Sequence, residues 1–421
     1  MILSLYSLAM WMVQPLVRRK LRRRAVDEPR YGHAVEQRFG HYEGVPRPAS
    51  GGGPLIWVHA VSLGETRAAA VLIEALRQDN PGMRLLLTHG TATGWEQGSS
   101  LLKAGDVQVW QPWDTPAAVQ RFLRHFQPHV GLLMETEVWP NMVAACVRAK
   151  VPLCLVNARM SEQSQRKARR LSWLSGSAFA GLHLVLAQTE EDAARLRALG
   201  ATVQAVTGNL KFDATPDADK LLRGRRWRAG SDKPVLMFAS SREGEEQMLI
   251  DALRRQPALP MQWLVVPRHP QRFDAVAELF QSVGFSVSRR STWADAPQTA
   301  DVWLGDSLGE MPLYFGLADM ALLGGSFAPL GGQNLIEAAA CGCPIVMGPH
   351  TFNFAQAAEM AEEAGAALRC ADLEDALRKA LPIVSDGPAL ERVRHTALAW
   401  SQAHRGATRR TLEALRALIG C

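Results

Sequence analysis

Acidic side chains follow two strongly apolar segments of the chain, at positions where a carboxylate could accept a proton. Glu65 comes shortly after the apolar run 54–61, at the predicted start of a helix, where the helix dipole favours an ionised carboxylate. Glu135 and Glu137 follow the apolar run 130–134 in the same way. Glu65 is therefore a candidate general base or an ordinary helix cap. The other two could hold a basic residue, cap a helix or form a metal pair.

The second half of the chain carries polar or glycine-rich segments directly after several apolar runs. Backbone amides at a helix N-terminus and Arg guanidinium groups bind phosphate, and a Glu carboxylate can accept both hydroxyls of a ribose. Each segment alone is equally typical of a strand-to-helix turn, but four of them in one domain favour a nucleotide site. The residues concerned are Ser240, Arg242, Arg268, His269, Gly309, Glu310, Met311, Gly332, Asn334 and Glu337.

The sequence offers weak support for metal or cofactor chemistry. Asp217 and Asp219 form a DxD pair, but they lie in a polar stretch rather than after a strand. Cys341 and Cys343 are better explained by burial, because free cysteines are among the most buried residues. The chain contains no P-loop motif, and no G-x-G-x-x-G follows its first strong strand. We therefore expect no bound metal and no cofactor.

Short apolar runs alternate with helical patterns, which predicts parallel sheets built from βαβ units. A chain of 421 residues is longer than one hydrophobic core usually supports, so two domains are expected. Two doubly wound Rossmann-like domains with a cleft between them form the arrangement known as GT-B. The predicted strands are 54–61, 84–88, 107–110, 130–134, 151–156, 184–187, 235–239, 262–266, 301–304, 320–323 and 344–347. The predicted boundaries are an N-terminal domain at 25–212, a linker at 213–233, a C-terminal domain at 234–387 and a helical segment at 388–421 that could pack back on the first domain.

The net charge of +6 has a local origin. Residues 18–24 hold six Lys and Arg side chains; without them, 41 of the 47 Lys and Arg residues remain against 41 Asp and Glu. A nucleic-acid-binding protein would spread its excess over a larger face, so no nucleic-acid partner is expected.

Residues 1–17 are apolar and precede these cations. A signal peptide would have its cations before the apolar run, and a core helix would not normally end in six of them. Residues 1–24 are therefore predicted to be a membrane anchor whose cations contact anionic phospholipid. The segment could span the bilayer or lie in one leaflet. The predicted location is the cytoplasmic face of the inner membrane.

Several ordered motifs make the chain closely resemble the bacterial 3-deoxy-D-manno-octulosonic acid (Kdo) transferases. The resemblance extends from the N-terminal anchor to about residue 365, with two mild departures at Arg242 and Gln333, where relatives carry His. The supporting segments are 57–65, 135–141, 157–161, 208–213, 266–270, 331–334 and 348–354.

The resemblance implies transfer of Kdo from CMP-Kdo to lipid IVA, with inversion and without a metal. Glu65 matches the general base, and Glu135 is a weaker candidate at the acceptor site. Lys211 would contact a donor or acceptor anion. In the second half, Arg268 and the amides of 309–311 would hold the CMP phosphate, and Asn334 and Glu337 would bind the ribose and nearby groups. Ser240 and Arg242 would meet phosphate or the Kdo carboxylate. His269 and Gly332 would also contact the donor; from the residues alone, His269 could stack on a base, donate to phosphate or cap a helix.

Two other functions remain open from the sequence. One is a different GT-B enzyme, such as a UDP-sugar transferase or a UDP-sugar epimerase, and CMP selectivity would distinguish it. The other is a non-catalytic lipid-binding scaffold, which would bind lipid IVA without binding CMP.

Overall fold

The computed structural model describes residues 2–47, 53–255 and 261–420. The chain forms two compact units, one of Met1–Asp213 with Arg405–Cys421 and the other of Ala214–His404. Each unit is built on a seven-stranded parallel sheet. The predicted α/β class and its two doubly wound sheets are therefore confirmed, whereas the predicted cleft between the domains stays a prediction.

The sheet of the first unit has the strand order β3-β2-β1-β4-β5-β6-β7. Helices cover both faces, so its central strands are buried along their whole length and read as continuous apolar runs. The side chains of β1 alternate between the two faces: Leu55 and Trp57 join one core cluster, and Ile56 and Val58 join the other. The strands are β1 Leu55–His59, β2 Arg84–His89, β3 Val107–Trp110, β4 Val130–Met134, β5 Leu153–Ala158, β6 Leu184–Ala187 and β7 Val203–Val206.

The helices of the first unit mostly begin at side chains that accept a backbone N–H, such as Ser62, Thr91, Thr115, Ser161 and Thr189. Such caps satisfy amides that would otherwise lack partners. The helices are α1 Ile2–Met12, α2 Gln14–Asp27, α3 Leu63–Asp79, α4 Ala92–Ser99, α5 Pro116–Phe126, α6 Pro140–Ala149, α7 Glu162–Arg170, α8 Ser172–Ala180 and α9 Glu190–Arg197.

The sheet of the second unit has the order β10-β11-β9-β8-β12-β13-β14. Its strands are β8 Val235–Ser241, β9 Gln262–Pro267, β10 Val287–Arg289, β11 Val302–Leu304, β12 Met320–Leu323, β13 Ile345–Met347 and β14 Ala367–Arg369. Its helices are α10 Ala218–Ala229, α11 Glu245–Arg254, α12 Phe273–Ser282, α13 Met311–Leu317, α14 Leu335–Ala340, α15 Ala355–Glu363, α16 Leu373–Val384 and α17 Gly387–Ala403.

The stretch predicted as a linker, 213–233, differs from that expectation. It contains α10, which packs closely against α13 within the second unit. The approach is tight at Gly224, where a Cβ would lie 2.0 Å from the carbonyl oxygen of Leu313. The helix is polar because most of its surface is exposed, and this polarity made it resemble a linker.

The last helical stretch, predicted as one segment over 388–421, is divided after α17. A further helix, α18 Ala407–Ile419, belongs to the first unit. Its Ala407, Leu415 and Ile419 join the core cluster beneath β1, and Asp213 accepts the N–H groups of Gly406 and Thr408. The chain thus returns to the first unit and completes its helical layer.

Candidate active site

The strand order places Glu65 and Glu135 at the same edge of the first sheet. Strands β1 and β4 are neighbours, and the chain continues from them in opposite directions across the sheet. Ligands of doubly wound sheets bind beyond the carboxyl ends of the strands at such a switch point. Glu65 lies in the first turn of α3, just after β1, and Glu135 directly follows β4.

The carboxylate of Glu65 is held by the turn that precedes its own helix. Oε2 accepts the N–H of Val61 at 2.8 Å, and Oε1 accepts the hydroxyl of Ser62 at 3.1 Å. Ser62 Oγ in turn accepts the N–H of Glu65 at 3.4 Å. The capping role that the sequence allowed is therefore present. It also fixes the direction of the carboxylate.

Burial raises the pKa of Glu65 to about 7, and the negative charges of Glu135 and Glu137 add to this rise, against hydrogen bonds from Val61 and Ser62. A carboxylate that titrates near neutrality is suited to proton transfer, because it is available as a base and releases the proton readily. A capping glutamate on an exposed helix would have no reason for such a pKa.

Glu135 is buried and forms two ion pairs with basic residues that are distant in sequence. Lys211 Nζ lies 2.7 Å from its Oε1, and Arg159 Nε lies 2.9 Å from its Oε2. Burial alone would raise the pKa of Glu135, but Lys211 and Arg159 hold it below its usual value. Glu135 is therefore an ionised partner of two cations. The sequence left three roles open for this pair of carboxylates: holding a basic residue, capping a helix or forming a metal pair. Glu135 has the first of these roles.

Glu137 differs from its neighbour in its environment. It accepts the indole N–H of Trp139 at 2.8 Å, and burial raises its pKa.

Two Asn side chains position Lys211. Asn157 has φ of 51° at the end of β5 and accepts the N–H of Leu210 at 3.0 Å. Asn209 accepts the N–H of Lys211 itself at 3.0 Å. Sequence reasoning noted both Asn-containing motifs but did not assign Arg159 to the site, although Arg159 lies within one of them.

The second sheet has its switch point between β8 and β12, and a buried carboxylate joins the segments that follow these two strands. Glu245 Oε2 accepts the N–H groups of Arg242 at 2.9 Å and Gly325 at 2.7 Å. Its Oε1 accepts those of Phe327 and Ala328, both at 3.2 Å. Sequence reasoning missed Glu245. The signal was a pair of Glu residues opening a helix just after Arg242.

Cationic side chains converge beside this carboxylate. Arg268 Nε donates to Gln333 Oε1 at 3.2 Å. A Cβ on Gly325 would lie 3.2 Å from Gln333 Nε2 and 3.6 Å from Arg242 Cγ, so both side chains lie against this glycine. Burial, together with the nearby guanidinium groups of Arg242, Arg268 and Arg272, lowers the pKa of His269. The positive charge around His269 therefore favours binding of an anion.

Several other residues that were predicted to bind the sugar donor form hydrogen bonds within the chain. Glu310 accepts from Arg290 and Ser307, and the carbonyl of Gly309 accepts from Lys220 at 3.1 Å. Ser240, the next-to-last residue of β8, has φ of 56°.

Further along the chain, Gly332 has φ of 74° and Asn334 caps α14, whose first turn holds Glu337. Met311 is the first residue of α13. The ligand contacts assigned to all these residues stay predictions.

The metal candidates of the sequence have other roles in the structure. Asp217 caps α10 by accepting the N–H of Lys220 at 3.1 Å. Cys341 and Cys343 are free and buried. Among the residues that the structure describes, no group of three or more His, Cys, Asp or Glu side chains is placed to hold a metal ion.

The fold is that of known nucleotide-sugar enzymes. The UDP-GlcNAc 2-epimerase of Neisseria meningitidis matches with a TM-score of 0.57 and 14% identity, over 86% of this chain and 99% of its own. A glycosyltransferase of Rickettsia africae also matches with a TM-score of 0.57, at 13% identity, over 87% of this chain and 99% of its own. These similarities define a two-domain, GT-B-like α/β protein.

Sequence comparison identifies the family within this fold. A family model for 3-deoxy-D-manno-octulosonic-acid transferase (kdotransferase) matches residues 33–214. The transferase of that name from Bordetella pertussis is 47% identical over 99% of both chains. The one from Haemophilus influenzae is 32% identical over 98% of this chain and 97% of its own. The chain belongs to the Kdo transferase family, which confirms the resemblance and the expected enzyme class, a glycosyltransferase.

Proposed function

We propose that this protein transfers Kdo from CMP-Kdo to lipid IVA in lipopolysaccharide biosynthesis, with inversion and with Glu65 as the general base. The observation that carries the assignment of the base is the position of the Glu65 carboxylate, which is held by Val61 and Ser62 at the switch point of the first sheet. Burial there raises its pKa to about 7. The donor is assigned to the second unit, where Arg242 and Arg268 lie near the end of β8 and β9.

In the proposed step, the oxygen of an acceptor hydroxyl forms a bond to the anomeric carbon of Kdo. The bond from that carbon to the phosphate oxygen breaks, and its electron pair leaves with CMP. The hydroxyl proton passes to the carboxylate of Glu65. Inversion follows because the hydroxyl attacks the face opposite the leaving group.

The charge that develops on CMP needs a cationic environment in the transition state. Arg242 and Arg268 supply it in this proposal, and neutral His269 remains available to donate one hydrogen bond or to stack on the base. A single phosphate that leaves as a monoester anion can be stabilised by such groups without a metal ion.

Lys211 and Arg159 neutralise Glu135 in the first unit, and this permits a carboxylate so close to the proposed base. Glu135 is therefore proposed to orient Lys211 and Arg159 at the acceptor site. If either ion pair were lost, the negative charge of Glu135 would be less neutralised and would raise the pKa of Glu65 further.

The direct experiment is a transfer assay with purified protein, CMP-Kdo and detergent-dispersed lipid IVA, read by mass analysis of the lipid product. Addition of one or more Kdo residues is expected, and the mass gives their number. Heat protection by CMP, but not by UDP or UDP-GlcNAc, is expected in the same preparation. Protection by UDP alone would instead indicate a UDP-sugar enzyme.

We also propose that residues 1–24 hold the protein on the cytoplasmic face of the inner membrane. The described part of the chain contains no helix with the length and apolar character needed to cross a bilayer. We propose an interfacial attachment. It is supported by α1, which exposes a stripe of large apolar side chains, including Leu5 at 62% and Trp11 at 64%.

The opposite side of α1 is fixed to the first unit by polar contacts. Tyr6 donates its hydroxyl to Asp114 at 2.9 Å, and Ser7 donates to Asn141 Oδ1 at 2.8 Å. Trp113 donates its indole N–H to the carbonyl of Met10 at 2.9 Å. The helix is thus docked along one side while the apolar stripe remains available to lipid.

Five of the six cations of α2 fall into two groups. Arg18 pairs with Glu36 and lies over the ring of Phe39, and Arg24 contacts Tyr31. An open groove of about 510 Å³ on the other side of the helix is lined by Pro15, Arg19, Arg22, Arg23 and Val26. Only the second group is proposed to bind phosphate groups at the membrane surface.

A further inference from the structure

The corner between α7 and α8, residues 166–173, combines exposed cations with exposed apolar side chains. Gln165 and Ala168 turn toward the unit: Gln165 donates to the carbonyl of Arg195, and Ala168 packs on the core. The remaining surface of α7 presents four exposed cations. They are Arg166, Lys167, Arg169 and Arg170.

None of these four cations has an ion-pair partner among the residues that the structure describes. Some other surface arginines of the first unit do have one: Arg18 pairs with Glu36, and Arg197 with Glu190. Four unpaired like charges on one short helix repel each other, and an anionic surface would offset that repulsion.

The tip of the corner is apolar. Leu171 and Trp173 are 50% and 51% exposed, whereas the next residue, Leu174, is buried. A tryptophan flanked by arginines is typical of the interface between headgroups and acyl chains, because the indole ring is amphipathic and the cations reach phosphate.

Two neighbours show which surface this corner faces. Helix α8 packs against α1, whose exposed apolar stripe includes Leu5 and Trp11. Helix α7 begins shortly after Arg159, whose guanidinium pairs with Glu135. The corner therefore lies between the proposed membrane helix and the segment that holds the carboxylate site.

We propose that residues 166–173 form a second membrane-docking surface that binds a bilayer rich in anionic lipid. Cations of α7 bind headgroup phosphates, and Leu171 and Trp173 enter the acyl-chain boundary. Together with α1 this gives two contacts and so fixes the orientation of the first unit on the membrane. The inference deepens the proposed function, because it brings the acceptor-side residues to the surface where a lipid acceptor resides.

The test places an environment-sensitive fluorophore at the tip of the corner. Trp173→Cys is labelled in a Cys421→Ser background, since the other five cysteines are free and buried. The matched control is Leu222→Cys on α10, where Leu222 is also exposed, at 54%. Full-length protein is added to vesicles of phosphatidylcholine with about one third phosphatidylglycerol, without donor or acceptor.

A blue shift and quenching by acyl-brominated lipid are expected at position 173 and not at position 222. Unchanged emission at 173 while the protein is bound to the vesicles would overturn the proposal. A shift without vesicles that grows with protein concentration would also overturn it, because a second copy of the chain would then cover this face.

A second pair of variants tests whether the cations of α7 contribute to lipid binding. The double variant Lys167→Gln/Arg170→Gln is expected to need about tenfold more anionic lipid for the fluorescence change at 173. Arg223→Gln/Arg226→Gln on α10 removes the same charge at the same spacing and should leave the lipid requirement unchanged. If the two double variants needed the same amount of anionic lipid, the cations of α7 would have no specific part in lipid binding. Because no transfer is measured, the result stands whether or not the protein transfers Kdo.

Discussion

Lys211 and Glu135 form an ion pair with Nζ 2.7 Å from Oε1, although 76 residues separate them in the chain. The pair joins the end of β4 to the segment after β7 and, with Arg159, keeps a buried carboxylate ionised beside Glu65. The charge of Glu135 still contributes to the raised pKa of Glu65. The ion pairs that neutralise Glu135 and the pKa of Glu65 are therefore linked.

Lys211→Met tests this link. Removing the ammonium group leaves Glu135 with one cation, so the pKa of Glu65 should rise and less of the base should be ionised at pH 7. We expect the acid limb of the pH profile of kcat to move upward and the free energy of unfolding to fall by about 1–3 kcal/mol. Lys233→Met, at an exposed position, is the control. An unmoved acid limb would separate the pair from the base.

The pH dependence of transfer should report Glu65 itself. A base must be ionised to accept a proton, so transfer should fall as the pH drops below about 7, the pKa of Glu65. A rate that stays level from pH 8 to pH 5.5 would argue against a base with this pKa.

Glu65→Gln should stabilise the fold at alkaline pH. The pKa of Glu65 in the folded state is about 7, above its usual value, so the folded state favours the protonated form and loses stability as the pH rises from about 4.5 to 7. The oxygen of a Gln amide can still accept the N–H of Val61, and its N–H can donate to the Ser62 hydroxyl, so the capping geometry is kept without the charge. We expect a gain of about 1–2 kcal/mol at pH 8 and a much smaller one at pH 5, measured by denaturant unfolding. A loss of stability at pH 8 would mean that capping outweighs burial of the charge.

Glu245→Gln should destabilise the second unit. The carboxylate accepts four backbone N–H groups, and an amide cannot replace both oxygens as acceptors. We expect a loss of about 1–3 kcal/mol and weaker heat protection by CMP. Glu243→Gln, at the exposed neighbouring position, should change neither quantity. Full stability of the Glu245 variant would show that these segments are held by other contacts.

Arg268→Gln and Arg242→Gln should each weaken CMP binding by about tenfold or more, because a charge-assisted hydrogen bond to phosphate is lost. Titration calorimetry with CMP measures this directly. Arg254→Gln, at the exposed end of α11, is the control. If both variants bind CMP as well as the unchanged protein does, the phosphate lies elsewhere.

The parts of the fold that sequence predicted are those with a strong local signal. The central strands were predicted because buried parallel strands are continuous apolar runs. The edge strands β7, β10 and β14 were missed because they are short and partly exposed, as Val287-Ser288-Arg289 illustrates. Helix α10 was mistaken for a linker because it buries only Gly224.

The residues of the candidate site also differ in whether the sequence could predict their roles. Glu65 was found because its position after a strand and at a helix start can be read locally. The partnership of Glu135 with Lys211 and Arg159 could not be read, because it depends on which strands are neighbours in the sheet. The role of Glu245 likewise depends on the proximity of β8 and β12. Glu310 and Asn334 also have side-chain partners within the chain, and their assignment to the ligand stays a prediction.

Transfer of Kdo to detergent-dispersed lipid IVA by Glu65→Gln, beside the exposed control Glu43→Gln, tests the central claim most directly. The product is counted by mass at pH 7.5, after circular dichroism has shown that both variants fold. A general base supplies roughly 10²–10⁴-fold, so we expect a loss of that size for Glu65→Gln with unchanged heat protection by CMP, and full activity for Glu43→Gln. Near-normal transfer by Glu65→Gln would contradict the account.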